Sequence, residues 1–292
     1  MEKCREMAKK QLAVAVPASV ISDTPHLREK TSKIGIIGRA AAIFRIGEVI
    51  VYADNPKVNQ RIDLDLIATW LSYMETPQYL RKRLFEIKPE LQYAGILPPL
   101  RTPHHPLKGN IRELKVGDYR EGITVSKVPE GTLVDIGVEH PVLLPEAQIA
   151  LNKRVTAKIS KVTGRVEVQI ANRDEVPEYW GYTVTVERRS LGKLLGSRQF
   201  DLTIGTSKFA TRFQDAVESL SKKWAQANSI LLLFGAPTRG LFEIAKDEGV
   251  NLNKWVDFVL NTVPNQGTET VRTEEALLAS LAILNVQFDL QS

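Results

Sequence analysis

A single cysteine, Cys4, stands among 292 residues, which excludes an internal disulfide and any cysteine-based metal site. Histidine is nearly as scarce. His26, His104, His105 and His140 lack the spacing of metal ligands, so no bound metal is expected. No apolar run reaches the length of about 18 residues that a membrane-spanning helix needs. The opening segment, Met1 to Leu12, is charged and has no apolar core of a secretory signal. These absences point to a cytoplasmic protein without a membrane partner. Two phosphate-cradling fingerprints are also missing: the Gly-Lys-Ser/Thr of a P-loop and the GxGxxG of dinucleotide folds. Their absence counts against an enzyme built on ATP or NAD.

The residues present are those of a folded protein, 43% hydrophobic and 25% charged. The net charge is +5, unevenly spread. Residues 1–45 carry nine Lys/Arg against four Asp/Glu, residues 186–223 eight against four, and residues 224–292 four against eight. A basic flank beside an acidic one suits a polyanion docking on one side.

Apolar runs closed by turn residues give buried strands at Leu12–Val16 and Glu48–Tyr52. A helix is expected from about Pro25 to Ile46, capped by Asp23 or Thr24 with Pro25 at its first position. Two more are expected over Asp63–Glu75 and after Pro77. This βαβα order is that of an α/β domain with a mostly parallel sheet. The texture changes at the proline-rich PPLRTPHHPLKG. From Lys115 to Ala171, five short strands separated by turn signals suggest a small closed β-barrel, OB-like in size. Residues 108–185 hold eleven basic and eleven acidic residues, so charge gives the barrel no nucleic-acid role. Strands then follow at Tyr182–Glu187, Phe200–Ile204, Ser229–Phe234 and Trp255–Asn261. Helices are expected over Arg212–Ala227, Gly240–Glu248 and Thr273–Val286, with Trp180 and Tyr182 as hinge packing at the barrel exit. The simplest architecture is a discontinuous α/β domain, 1–105 and 182–292, interrupted by a barrel at 106–181.

Two loops leave the C-terminal ends of buried strands, the edge where open parallel sheets bind ligands. They are Gly235-Ala-Pro-Thr-Arg-Gly240 and Asn261-Thr-Val-Pro-Asn-Gln-Gly267. Their glycines suit close approach to a ligand or positive φ, and their prolines fix the backbone.

The stretches VAVPASVISD, IGRAAAIFRIGEVIVYAD, LQYAGILPPLRTPHHP, LLLFGAPTRGL and NTVPNQGTETVRTEEALLASLAILN span positions 14 to 285. In these the chain resembles the SPOUT-class RNA methyltransferases of archaea and eukaryotes that carry a β-barrel insert. The most specific match is Asn-Thr-x-Pro-x-Gln-Gly followed by Thr-x-Arg-Thr-Glu-Glu-Ala. The resemblance implies an S-adenosylmethionine-dependent methyltransferase acting on RNA, with a ribosomal RNA base, uridine N3, as the expected target. It also implies a trefoil knot near the C-terminus and a homodimer, for which TEEALLASLAIL, with its small residues Ala276, Ala279, Ser280 and Ala282, would be an interface. The alternative is a non-catalytic RNA-binding or ribosome-assembly factor with a vestigial pocket.

Carried over residue by residue, the cofactor site comprises Gly235, Ala236 and Gly240, then Asn261, Thr262, Val263, Pro264, Asn265, Gln266 and Gly267, then Thr270 and Thr273. Leu233 and Leu277 would flank the adenine. Arg39 and Arg272 are the expected catalytic or positioning groups, with Glu274 and Glu275 as weaker candidates. An arginine would hold phosphate or an anionic base rather than accept a proton. RNA contacts are expected from Arg81, Lys82, Arg83, His104, His105, Arg188, Arg189 and Lys193, extended by Arg198, Lys208 and Arg212.

Overall fold

A computed structural model describes residues 10–107, 109–288 and 290; Cys4 and most of the opening segment lie outside them. In chain order the elements begin β1 (Gln11–Pro17), α1 (Leu27–Ile43), β2 (Glu48–Ala53), α2 (Arg61–Glu75) and α3 (Gln78–Leu84). Next come β3 (Tyr119–Val128), β4 (Gly131–Asp135), β5 (Val142–Pro145), β6 (Arg154–Lys161) and β7 (Glu167–Ala171). The last part holds β8 (Thr183–Ser190), α4 (Leu191–Ser197), β9 (Leu202–Arg212), α5 (Phe213–Gln226), β10 (Ser229–Leu233), α6 (Leu241–Asp247), α7 (Leu252–Trp255), β11 (Phe258–Asn261) and α8 (Thr273–Phe288). The described residues form two compact units, one from 10–72, 89–98, 182–288 and 290, the other from 73–88, 99–107 and 109–181.

The first unit is built on a six-stranded sheet of order β11-β9-β10-β1-β2-β8, and every pairing in it is parallel. Strands buried on both faces read as continuous apolar runs, which is why LAVAV and SILLL lack alternation. Ala13, Ala15, Ile50, Tyr52, Leu231 and Leu233 point to one face, into a core shared with Leu191 and Leu194 of α4, Leu241 and Ile244 of α6, and Leu252 of α7. Val14, Val16, Val49, Val51, Ile230 and Leu232 alternate with these residues and are also buried. On the outside, α1 packs against α8.

Several expectations needed correction. Helix α1 starts at Leu27 with His26 in the cap position and no side-chain cap bond. Asp23 is instead taken by Lys33, whose Nζ lies 2.6 Å from its carboxylate. The strand expected to end at Ile204 runs on to Arg212. Trp255 belongs to α7, begun by the Asn251 side chain accepting from Asn253 N–H at 3.1 Å. Helix α4 was not expected. A carboxylate distant in sequence caps it: Leu191 and Gly192 N–H donate to Glu248 at 3.0 and 2.8 Å. No helix of the described residues is long and apolar enough to cross a membrane, and none of their His, Cys, Asp and Glu form a group that could hold a metal ion.

In the second unit β3 to β7 close into a five-stranded barrel of order β3-β4-β5-β7-β6, which leaves no exposed sheet edge. Val134, Ile136, Val142, Leu144, Ala157, Ile159 and Val168 fill it. Residues 73–88 and 99–105, expected in the sheet domain, group with the barrel. Glu75 supplies a reason. Its carboxylate meets Arg154 at 2.6 Å and Arg173 at 2.9 Å, and Arg154 also meets Glu121 at 2.6 Å. The Glu75 carbonyl, at the end of α2 where helix carbonyls lose their partners, accepts from Nε2 of both His104 (2.9 Å) and His105 (2.7 Å). Trp180 is buried in this unit, donating to Glu121, while Tyr182 belongs to the first unit and donates to Leu71 O at 3.1 Å. Each is a core residue of its own unit.

Burial raises the Glu75 carboxyl, but hydrogen bonding from His104 and the Arg154 guanidinium outweigh it and hold it at about 2, against 4.5 ordinarily. Burial, with the His104 ring beside it, lowers His105 to about 4 from 6.5. Both folded values lie below the unfolded ones, so the unfolded chain binds more protons and stability falls on acidification. Denaturant midpoints of this unit are expected to drop as the pH goes from 6.5 to 4 and again from 4.5 towards 2. Glu75→Gln should remove the lower window and cost about 1.5–3 kcal/mol at neutral pH, because Arg173 loses its carboxylate and Arg154 keeps only Glu121. A flat profile for the wild-type protein from pH 6.5 to 3 would contradict this account.

Candidate functional site

Parallel strands deliver their exits to one edge. At that edge the loop after β10, the loop after β11, the far part of β9 and the start of α8 enclose a cavity of about 300 Å³, within the range of small-molecule sites. Its lining comes from residues 206–209, 234–240 and 261–263, with Phe242, Glu243, Gln266, Thr270, Val271, Thr273 and Ala276.

Helix α8 fastens both loops. Thr273 Oγ1 donates to the Gly235 carbonyl at 2.8 Å, and the Thr262 and Ser280 hydroxyls share a buried hydrogen bond of 2.8 Å. The loop after β11 holds its own shape through an Asx turn, in which Asn261 Oδ1 accepts from Val263 N–H at 3.0 Å. The other end of the same amide, Nδ2, donates to the Lys208 carbonyl at 2.9 Å. In the loop after β10, Ala236 N–H donates to Arg239 O at 2.8 Å, and Gly240 N–H donates to the Glu243 carboxylate at 2.9 Å. Buried Tyr52 donates its hydroxyl to Phe234 O at 2.8 Å.

Charge enters the cavity through Arg239. Its Nη2 donates to the Asp54 carbonyl at 2.6 Å, and Asp247 lies 3.5 Å away. Its Nε is buried without a hydrogen-bond partner. Asp54 is fully buried, bonded by Ser19 N–H (3.0 Å), Ser19 Oγ (2.5 Å) and Gln60 Nε2 (2.9 Å). The end of β2 therefore anchors the loop that follows β10.

Residues 11–284 match the family model described as "Putative RNA methyltransferase". The chain belongs to this RNA methyltransferase family. Similar proteins include an uncharacterized protein of Halobacterium salinarum, 33% identical over 94% of this chain and 98% of its own length. Two named 28S rRNA (uridine-N(3))-methyltransferase are 32% identical in Mus musculus and 31% in Homo sapiens, each over 94% of this chain and over 75% and 77% of their own.

In this methyltransferase Gly235, Ala236, Gly240, Asn261, Thr262, Val263, Gln266, Thr270 and Thr273 all line the one cavity. Leu233 and Leu277, expected to flank a ligand ring, are core residues with no exposure and do not line it. Pro264, Asn265 and Gly267 sit on the loop but outside the lining. Positive φ falls on Asn265 (58°) and on none of Gly235, Gly240 and Gly267. Arg39, half-buried on α1, and Arg272, exposed before α8, are not among the lining residues either. Glu274 is buried 3.6 Å from Lys33, and Glu275 accepts from Arg272 N–H at 2.9 Å as a helix-start carboxylate.

Of the expected RNA-contacting residues, His104 and His105 are drawn onto Glu75, and His104 is only 1% exposed, so that pair cannot form an open phosphate contact. Arg81 donates to the Thr76 and Met74 carbonyls. Arg83, Arg188, Arg189 and Arg198 pair with Asp135, Asp65, Glu187 and Glu48; exposed pairs of this kind are worth little and exchange readily. Lys82 and Lys193 are exposed. Sequence reasoning missed Thr206, Ser207, Phe209, Phe234, Arg239 and Phe242 as lining residues. The signal available was LTIGTSKFATR, a strand too long and too polar at its end to be only a sheet element.

Gly235 and Gly240 make opposite demands. A Cβ on Gly235 would lie 2.9 Å from Leu241 N and 3.0 Å from Gly240 Cα, whereas one on Gly240 would meet nothing within 4 Å. Gly235→Ala is expected to destabilise the protein by about 1–3 kcal/mol, since backbone must yield. Gly240→Ala should stay within about 1 kcal/mol of wild type, the cost of a weaker cap. Denaturant melts decide it; equal effects would contradict the placement of the two glycines.

Proposed function

We propose that this methyltransferase binds S-adenosylmethionine in the cavity between the loops after β10 and β11 and methylates N3 of a uridine in large-subunit ribosomal RNA. The observation that carries the cofactor reading is the cavity itself, lined by both loops of the GAPTRG and NTVPNQG motifs. The lining fits the ligand. Phe234 and Phe242 offer apolar surface, the open side of Gly240 leaves room for a ligand, and the buried, unpartnered Nε of Arg239 is a donor suited to a carboxylate. Backbone groups of residues 235–240 and 261–263 would hold the adenosyl part. Glu243 adds a carboxylate to the lining, compatible with a cationic ligand. When bound, the cofactor supplies an electrophilic methyl group. The uridine reading is supported by the names of the mouse, fly and human relatives.

The remaining features are part of the same proposal. A trefoil knot of SPOUT type accords with β9 lying between β10 and β11 and with α8 fastened back onto the earlier loop through Thr273. An OB-like insert accords with the five-stranded closed barrel. A homodimer through α8 and α1 accords with the exposure of Leu278 (41%) and Val286 (87%) on one and Ile36 (43%) and Ile43 (52%) on the other. Arg188, Arg189 and Lys193 would serve phosphates, and a cytoplasmic location completes the reading.

Calorimetry with S-adenosylmethionine and S-adenosylhomocysteine is expected to show saturable binding that ATP and NAD do not. Asn261→Ala loses two hydrogen bonds that shape the cavity, each worth about 0.5–1.5 kcal/mol, so affinity should fall roughly tenfold. Gly240→Trp should fill the cavity and abolish binding in a folded protein. Labelled methyl should then appear in unmodified ribosomal RNA as 3-methyluridine. Binding of ATP or NAD in place of the adenosyl sulfur ligands would overturn the cofactor reading, and a different methylated nucleoside would overturn the target.

A further inference from the structure

Strand β9 does something unusual for a buried parallel strand. Its register with β11 jumps from Val259↔Gly205 to Leu260↔Thr211, so residues 206–210 bulge out between consecutive β11 partners. Bulges re-aim side chains beside functional sites, and this one is tied down at several points. Thr206 Oγ1 donates to Leu233 O at 3.1 Å, Asn261 Nδ2 holds the Lys208 carbonyl at 2.9 Å, Lys208 Nζ reaches Glu269 O at 2.9 Å, and Phe209 N–H donates to Ser207 Oγ at 3.3 Å. The bulge is thus fastened on both sides of Phe209. Phe209 lines the cavity and is nevertheless 81% exposed, with the Lys208 ammonium 5.1 Å from its ring centroid.

A solvent-exposed phenylalanine on a fastened stretch of backbone at the rim of a ligand cavity has little to contribute to folding. Its chemistry is that of a flat apolar platform backed by a cation. An RNA-modifying enzyme must take its target base out of the stack before a group in a cavity can reach it, and exposed aromatics are the general means of holding an unstacked base. We propose that Phe209 is the platform on which the acceptor nucleobase, unstacked from its RNA, is held at the mouth of the cavity, with Lys208 reinforcing the ring. This inference rests on the reading of the cavity as the methyl-donor site, and assigns β9 the acceptor side of it.

The test compares wild type with Phe209→Ala, Phe209→Leu and Phe209→Trp in the full chain. Methyl transfer from labelled S-adenosylmethionine to transcribed large-subunit ribosomal RNA gives kcat and KM, with the cofactor Kd and the oligomeric state measured on the same preparations. Phe209→Ala and Phe209→Leu are expected to lower kcat/KM for RNA by roughly 5- to 150-fold, the range of one lost base stack. Phe209→Trp should stay within about threefold of wild type, since any aromatic face stacks. Cofactor Kd should shift far less than kcat/KM for RNA, because the exposed ring stands at the rim of the cavity while its neighbours make the fastenings of the bulge, and the oligomeric state should not change. Full activity in Phe209→Ala, activity retained by Phe209→Leu, or a loss traced to cofactor affinity or to dissociation of subunits would each overturn the platform while leaving the enzyme reading intact. A wild-type protein that binds no cofactor and transfers no methyl would remove both.

Discussion

Because β9, β10 and β11 run parallel in neighbouring positions, their C-terminal ends fall on one edge of the sheet, and everything assigned to this site follows from that. The GAPTRG loop, the NTVPNQG loop and the β9 bulge come from segments scattered over some sixty residues of chain. They meet because SILLL is buried between β1 and β9, both of which share its direction. The apolar strands thus place the loops, and the loops need contribute little stability of their own.

Placement by strands is coarse, and a few polar contacts refine it. Asn261 is the busiest of them. One end of its amide closes the turn of its own loop, and the other holds the β9 bulge by a backbone carbonyl. Thr273 and Ser280 do the same for α8, tying the helix to one loop each. Arg239 and Asp54 link the remaining loop to the end of β2. All but the Thr262–Ser280 pair join a side chain to backbone, so the cavity is shaped before a ligand arrives.

Much of this was legible in the sequence, for physical reasons. Buried parallel strands announce themselves as unbroken apolar runs, so β1, β2 and β10 were found nearly to the residue. The barrel followed from short strands at regular spacing. Loops rich in Gly and Pro beyond buried strands marked the site. What escaped notice depended on partners distant in sequence. Glu248 caps α4 from 57 residues away, and no local pattern carries that. Glu75 draws in His104 and His105, which were expected to contact RNA. Strand β9 was cut short at Ile204 because the polar residues beyond it are those of a loop; they remain in the strand because β11 resumes pairing after the bulge. The loop glycines were expected to give close approach to a ligand or positive φ; Gly235 is needed for close approach of backbone to backbone, and Asn265 takes the left-handed position.

The most direct test of the central claim is a crystal structure of the protein with S-adenosylhomocysteine. The ligand is expected between the loops after β10 and β11, contacting backbone of residues 235–240 and 261–263, with its sulfur facing the opening beside Phe209. An adenosyl ligand bound anywhere else, or one bound there with its sulfur turned away from the bulge, would contradict the account.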